Sequence, residues 1–107
     1  MGYIESGKRD GARVVTGGGR IGHKGFFIQP TVFTDVKPDM KIVQEEIFGP
    51  VAAIIKFKTE EEVIEMANDT EYGLDALVFT KDVSRALRVA HAVDAGSVQV
   101  RDWSNVL

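Results

Sequence analysis

The 107-residue sequence contains no cysteine, which excludes disulfides, thiolate metal sites and a cysteine nucleophile within this chain. It also has no excess of positive charge, because 13 Lys and Arg stand against 16 Asp and Glu for a formal net charge of −3. The charges are mixed along the chain and form no basic stripe of the kind that neutralises phosphates. Nucleic acid is therefore not an expected partner.

Long apolar runs are also missing. None approaches the roughly 18 residues that span a bilayer, and the N-terminal segment "MGYIESGKRD" lacks the basic region and apolar stretch of a signal peptide. We therefore expect no membrane association and a cytoplasmic location. What the sequence does contain is 44% hydrophobic residues, which is enough for one compact domain at this length.

The first half of the chain predicts short elements. "MGYIESGKRDGA" predicts a helix end closed by Gly7 or Gly11, and "RVVTGG" predicts a short strand that enters a turn. "KGFFIQPTVFTDV" predicts an edge or bulged strand, because Pro30 cannot donate to a sheet ladder. "MKIVQEE" predicts one or two helical turns, which Gly49 and Pro50 stop.

From Val51 onward the pattern is regular. Strands are predicted at "VAAIIKF", "ALVFT" and "GSVQV", and helices between them at "TEEEVIEMANDT" and "DVSRALRVAHAV". Strand-helix-strand crossovers favour parallel neighbouring strands with a right-handed connection. The predicted fold class is therefore α/β, with a βαβαβ open sheet preceded by short strands.

Both predicted helices have one face to bury. Thr59 followed by Glu62 is a capping box that marks the start of the first helix. Apolar residues at helical spacing form one face of the second helix, which we expect to be buried: Val83, Ala86, Leu87, Ala90 and Val93. Arg85 and Arg88 are expected to point to solvent.

Several motifs match a functional pattern only in part. "GGGRIG" at 17–22 fits the glycine spacing of a dinucleotide loop, but the strand-like "HKGFFIQP" follows where a helix should begin, so a plain turn is favoured. His23 and His91 each stand alone, without a second ligand at helical spacing, and are interpreted as ordinary surface or partly buried residues.

The stretch "QEEIFGP" at 44–50 is harder to assign. Glu45 and Glu46 end a short helix beside a Gly-Pro turn, where the two oxygens of a carboxylate suit a vicinal diol such as a ribose. Phe48 supplies an apolar plane that could pack against a ring. The residues alone leave two readings open: a solvated helix end, or the mouth of a binding site.

Six stretches carry a resemblance to a known family: "GGG" at 17–19, "GFFIQPTVF" at 25–33, "EEIFGPV" at 45–51, "FKTEEEVIEMANDTEYGL" at 57–74, "VFTKD" at 78–82 and "AGSV" at 95–98. Together they resemble the nicotinamide-dependent aldehyde dehydrogenase superfamily over nearly the whole chain. The Glu-Ile-Phe-Gly-Pro element is a specific signature of that superfamily.

This resemblance implies roles for the residues of the stretch. It implies that Glu46 grips the hydroxyls of the nicotinamide ribose of NAD or NADP, that Phe48 packs against the nicotinamide end, and that Glu45 supports the local structure. The implied reaction oxidises an aldehyde to a carboxylic acid. A cysteine attacks the carbonyl, hydride passes to NAD(P)+, and water releases the acyl group from the thioester.

The chain also departs from the family pattern. The resemblance places the catalytic cysteine, the dinucleotide loop, the general-base glutamate and the oxyanion asparagine in segments upstream of this chain. Asp75 brings a charge to the start of a predicted strand, and "QVRDWSNVL" after Val98 does not resemble the family. We therefore interpret residues 1–107 as a single partial domain with a divergent tail at 99–107.

Two functional hypotheses follow. In the first, the chain is a fragment of an aldehyde dehydrogenase and is inactive alone because it lacks the nucleophile. In the second, it is a non-catalytic truncated paralogue that acts as an interaction module, by self-association or by pairing with full-length subunits. The tail from Gln99 does not discriminate between them.

Overall fold

A computed structural model describes residues 1–102, which fall into two compact units. Unit 1 is Met1–Lys56, unit 2 begins at Phe57, and each is described by itself. The elements are α1 (Gly2–Arg9), β1 (Arg13–Thr16), β2 (Thr31–Thr34), α2 (Lys41–Gln44), β3 (Val51–Ala53), α3 (Glu60–Asn68), β4 (Asp75–Phe79), α4 (Val83–Ala92) and β5 (Ser97–Arg101). The prediction of one partial domain over residues 1–107 stays a prediction. Within residues 1–102, no helix is long and apolar enough to cross a membrane.

Unit 1 contains a three-stranded sheet in the order β1-β2-β3, with β1 antiparallel and β3 parallel to β2. The prediction that the segment around Pro30 forms an edge strand is therefore wrong, since β2 lies at the centre of this sheet. Pro30 is compatible with this position because it precedes the strand, which begins at Thr31. The missing N–H of Pro30 thus falls outside the ladder. The irregularity between β1 and β2 lies at Val14 and Thr16, on the β1 side.

The core of unit 1 lies between the sheet and the two helices. Phe33 of β2 is fully buried and Ile4 of α1 is 1% exposed, and Ile42 of α2 packs in the same cluster. The two helices approach closely at Gly7, where an added Cβ would lie 3.1 Å from both Ile42 Cδ1 and Phe33 Cζ. Gly7 therefore lies inside α1, and the helix is closed by Gly11, whose φ is +96°.

The glycine run forms a turn that leads back to β2. Gly17 has a φ of +74°, and a Cβ there would lie 2.1 Å from the carbonyl oxygen of Pro30, so only glycine fits. The N–H of Gly18 donates a 2.8 Å hydrogen bond to Oγ1 of Thr31. The next helix after the run is α2, which begins at Lys41, so no helix N-terminus adjoins these glycines as a dinucleotide loop requires.

The α/β fold class is confirmed, and so is the order strand, helix, strand, helix, strand from β3 to β5. In unit 2, β4 and β5 are parallel, with Asp75 opposite Ser97 at the start of the ladder. The pairing of β3 differs from a single βαβαβ sheet, because β3 pairs with β2 while β4 and β5 form a two-stranded sheet. Asp75 does begin a strand, as the sequence predicts, and it is exposed.

The start of α3 confirms the capping box with one change of partner. The N–H of Glu62 donates to Thr59 Oγ1 at 3.1 Å, as a capping box requires. The Glu62 carboxylate reaches one residue further back and accepts from the N–H of Lys58 at 2.7 Å. Both ends of the motif therefore stabilise the helix start.

The predicted buried face of α4 is wrong for two residues. Ala86 is buried and Val89 and Val93 are half-buried, but Val83 is 73% and Leu87 56% exposed. Successive residues of a helix are about 100° apart around its axis. On that scale Val83 and Leu87 lie roughly 80° and 120° from the face formed by Ala86, Val89 and Val93. The apolar residues of α4 cover a wider part of the helix surface than the face that is buried. The sequence pattern alone therefore could not predict which part of that surface faces the sheet.

The two arginines of α4 are exposed but engaged. Arg88 donates to both carboxylate oxygens of Glu60 on α3, at 2.9 and 3.0 Å, and Arg85 Nε lies 3.3 Å from Glu60 Oε1. The hydrogen bond from Arg88 is the main reason that the pKa of Glu60 lies below its ordinary value of 4.5. The carboxylate is therefore favoured more strongly in the folded chain than in the unfolded chain.

This ion pair makes the stability of unit 2 dependent on pH. Because the folded pKa of Glu60 is lowered, its contribution is present above about pH 4.5 and is lost as the pH falls through the folded pKa. We expect urea unfolding of the Glu60→Gln variant to depend less on pH in this acidic range than that of the wild type. Glu65→Gln, which changes an exposed residue of the same helix, is the matched control and should retain the wild-type dependence. Equal pH dependence in the wild type and Glu60→Gln would contradict this account.

Candidate functional site

The two sequence-predicted site residues lie on the connection between α2 and β3, residues 45–50, which we call the acidic loop. It begins where α2 ends: the N–H of Glu45 donates to the Lys41 carbonyl at 3.0 Å. Glu45 itself has left the helical region, with φ −114° and ψ 150°. The side chain of Gln44 donates to the Pro38 carbonyl at 2.8 Å and holds the last helical residue in place.

The far end of the acidic loop is fixed to the sheet. The carbonyl of Pro50 accepts a 2.8 Å hydrogen bond from the N–H of Thr31, the buried first residue of β2. Between the two ends, Ile47 is half-buried and packs against the core of unit 1. The loop is thus held at its start, its middle and its end.

The two glutamates of the loop have different surroundings. Glu45 Oε1 accepts a 3.4 Å hydrogen bond from the hydroxyl of Tyr3, and Glu45 Oε2 lies 3.9 Å from Lys41 Nζ. The neighbouring carboxylate of Glu46 is exposed and, within residues 1–102, accepts no hydrogen bond and forms no ion pair. One carboxylate is therefore tethered, and the other keeps both oxygens available.

Phe48 is also turned outward, with 90% of its surface exposed. Within the loop, Ile47 packs inward, whereas its neighbours Glu46 and Phe48 face solvent. An acceptor group and an aromatic plane are thereby presented together by a backbone that is fixed on either side.

The structure brings Glu46 and Phe48 together on one loop, but it does not bring either histidine into a cluster. No group of three or more His, Asp or Glu residues that could hold a metal is found in the part of the chain that the structure describes. Sequence reasoning missed Tyr3 and Lys41 as partners of Glu45. No sequence signal could have identified Tyr3, because it lies 42 residues before Glu45.

Comparison with known proteins gives the family. The model of the aldehyde dehydrogenase family matches residues 1–106. The chain belongs to the aldehyde dehydrogenase family. The match extends beyond Val98 and covers all but the last residue of the tail that departs from the quoted pattern.

The sequence is similar to aldehyde dehydrogenases from several organisms. It is 60% identical over 100 residues to an aldehyde dehydrogenase of Agaricus bisporus, a match that covers 94% of this chain and 20% of the relative. It is 57% identical over 100 residues to the cytosolic aldehyde dehydrogenase 1 of Mus musculus, again covering 94% of this chain and 20% of the relative. The chain thus spans about a fifth of the length of the curated relatives that it matches.

Solved structures of aldehyde dehydrogenases also superpose closely on this chain. An aldehyde dehydrogenase variant from Bacillus cereus superposes with a TM-score of 0.90 at 51% identity, over 95% of this chain and 21% of that one. An indole-3-acetaldehyde dehydrogenase complexed with NAD+ superposes with a TM-score of 0.91 at 47% identity, over 97% of this chain and 21% of that one. The fold of the described residues is therefore that of the matching part of an aldehyde dehydrogenase.

Proposed function

We propose that the acidic loop is the part of an NAD(P)+-dependent aldehyde dehydrogenase that holds the nicotinamide ribose of the cofactor. The observation that carries the proposal is the difference between the two glutamates: Glu45 is tethered by Tyr3 and Lys41, while Glu46 is exposed and unpaired within residues 1–102. The solved relative that contains NAD+ supports the choice of a nicotinamide cofactor.

The side chains of the loop fit that end of a dinucleotide. The Glu46 carboxylate offers two free acceptor oxygens to the two hydroxyls of a ribose, and it is an acceptor-only group when ionised. Phe48 offers an open aromatic face two residues further on. Charge-assisted hydrogen bonds of this kind are short and strong, so Glu46 would both bind the ribose and orient the ring attached to it.

The rest of the reaction needs groups that this sequence does not contain. Bound NAD(P)+ supplies the hydride acceptor for oxidation of an aldehyde to a carboxylic acid. The covalent step of the family requires a thiolate, and the chain has no cysteine. We therefore propose that the 107-residue chain corresponds to a cofactor-contacting piece of the enzyme and is inactive alone. A cytoplasmic location, by analogy with the cytosolic mouse relative, is part of the same proposal.

The experiment that tests this function is a chimera in which residues 1–98 replace the matching segment of the Bacillus cereus aldehyde dehydrogenase, to which the chain is similar at a TM-score of 0.90. Because the segment carries the proposed ribose contacts, the chimera is expected to oxidise an aldehyde with NAD+ or NADP+. Activity should remain within about tenfold of the parent, the span of about 1.4 kcal/mol in transition-state stabilisation. A folded chimera that binds no cofactor would contradict the proposal.

A second candidate, a non-catalytic interaction module, is favoured by apolar surface in unit 2. An open groove of about 570 Å³ there is lined mainly by apolar residues of α3, β4 and α4, among them Val63, Ile64, Leu77, Phe79 and Val89. Exposed apolar surface of this kind is typical of a protein contact. This candidate would be preferred if the chimera were inactive and the 107-residue chain associated with itself or with full-length aldehyde dehydrogenase subunits in sedimentation experiments.

A further inference from the structure

We propose that Tyr3 is a positioning residue for the acidic loop, and that it acts on the cofactor through Glu46. The inference rests on the function proposed above and extends it to a residue on α1. Tyr3 does not contact the cofactor in this account. Its role is to fix the backbone at Glu45, and thereby the direction in which the next carboxylate points.

The evidence is a cluster of three side chains, Tyr3, Lys41 and Glu45, which we call the Tyr3 cluster. The Tyr3 hydroxyl donates to Glu45 Oε1 at 3.4 Å, and Lys41 Nζ lies 3.9 Å from Glu45 Oε2. The same ammonium group lies 5.4 Å from the centre of the Tyr3 ring, within the range of a cation–π contact. Each member therefore contacts the other two.

Tyr3 can act as a fixed point because α1 is held tightly. The Tyr3 side chain is half-buried against the core of unit 1, and the adjacent Ile4 is 1% exposed. The approach of α1 to α2 is set at Gly7, where even a methyl group would be crowded by Ile42. A side chain on a rigid element places its polar atom more accurately than one on a loop.

The hydroxyl of Tyr3 joins the Glu45 side chain of the loop to α1. Without it, the remaining partner of the Glu45 carboxylate in the described residues is Lys41, four residues earlier on the short helix that the loop leaves. A surface ion pair of this type holds its geometry weakly. The Glu45 N–H would still donate to the Lys41 carbonyl, but the backbone that follows it would sample more directions, and the orientation of Glu46 that accepts a ribose would be less populated.

The first part of the test uses the 107-residue chain itself. Tyr3→Phe removes only the hydroxyl, so the NMR order parameters of the amides of residues 46–48 are expected to fall by about 0.1 or more, while those of β2 are unchanged. Ser6→Ala is the matched control, because it removes a hydroxyl on α1 that bonds to Asp10 and not to the loop. It should leave residues 46–48 unchanged.

The second part uses the chimera that carries residues 1–98. Tyr3→Phe is expected to raise the KM for NAD+ about two- to fivefold, because the 3.4 Å hydrogen bond to the Glu45 carboxylate is long and exposed and acts on the cofactor only through Glu46, and to leave the KM for the aldehyde unchanged. In the Glu46→Gln background the same change is expected to have no further effect, because the hydroxyl acts through the Glu46 carboxylate. A merely structural role would lower activity equally in both backgrounds.

The outcomes separate this inference from the proposed function. Unchanged order parameters at residues 46–48 in Tyr3→Phe would overturn the positioning role, as would equal effects of Tyr3→Phe with and without the Glu46 carboxylate. If Glu46→Gln alone leaves the KM for NAD+ unchanged, the proposed function fails first. The order parameters still decide, in that case, whether Tyr3 restrains the loop.

Discussion

The purified 107-residue chain is expected to reduce neither NAD+ nor NADP+ above the uncatalysed rate with any aldehyde. Formation of the thiohemiacetal needs a thiolate, and the sequence has no cysteine that could provide one. Since enzymes accelerate reactions by about a millionfold or more, the expected loss is the whole of the catalytic effect. The reason is the missing nucleophile and not weak binding, so raising the cofactor or aldehyde concentration should not restore activity.

The measurement is cofactor reduction by the purified chain across a panel of aliphatic and aromatic aldehydes. The chimera serves as the positive control, because it contains the same residues 1–98 together with the remaining segments of an aldehyde dehydrogenase. Aldehyde-dependent reduction that co-purifies with the chain and exceeds a protein-free blank would show that a group other than a thiolate can carry the covalent step.

Glu46→Gln in the chimera is expected to raise the KM for NAD+ by about tenfold or more. The change keeps the size of the side chain but removes the charge and replaces one acceptor oxygen with a donor. A hydrogen bond to a charged group contributes about 1.5–3 kcal/mol, and each 1.4 kcal/mol corresponds to a factor of ten in affinity. Because the Glu46 carboxylate has no hydrogen-bond or ion-pair partner within residues 1–102, Glu46→Gln should lower the folding stability only slightly.

The matched control is Glu45→Gln, which makes the same chemical change one residue earlier. Glu45 is already engaged by the Tyr3 hydroxyl and Lys41, so its substitution is expected to change the KM for NAD+ about fivefold at most. In the reverse pattern, Glu45→Gln would raise the KM for NAD+ and Glu46→Gln would leave it unchanged. That result would show that Glu45, and not Glu46, binds the ribose. Glu46 would then be a solvated residue at a helix end.

Features encoded by neighbouring residues could be predicted from the sequence. The capping box at Thr59, the short helix before Glu45 and the alternation of strands and helices after Val51 all depend on contacts within a few residues. The two candidate site residues could likewise be placed beside the turn at Gly49 and Pro50, although the sequence put Glu46 at the end of the helix and α2 ends at Gln44. Their cofactor role is still a proposal, based on family resemblance and on the exposure of their side chains.

Features that depend on distant partners could not be predicted. The central position of β2 is decided by its pairing with both β1 and β3, and the sequence around Pro30 carries no information about either partner. The rotation of α4 is set by the surface that it covers, which leaves Leu87 outside. The tether on Glu45 comes from Tyr3, which lies 42 residues earlier in the sequence. In each case a tertiary contact determines the strand order, the helix rotation or the side-chain partner, and the local sequence pattern does not contain that contact.

We propose that Glu46, and not Glu45, receives the nicotinamide ribose. A crystal structure of the chimera with NAD+ bound tests it most directly. We expect the Glu46 carboxylate oxygens to lie within about 2.5–3.0 Å of the ribose hydroxyls, with Glu45 still hydrogen-bonded to Tyr3. A ribose bound by Glu45, or one whose hydroxyls lie beyond hydrogen-bonding distance of Glu46, would contradict it.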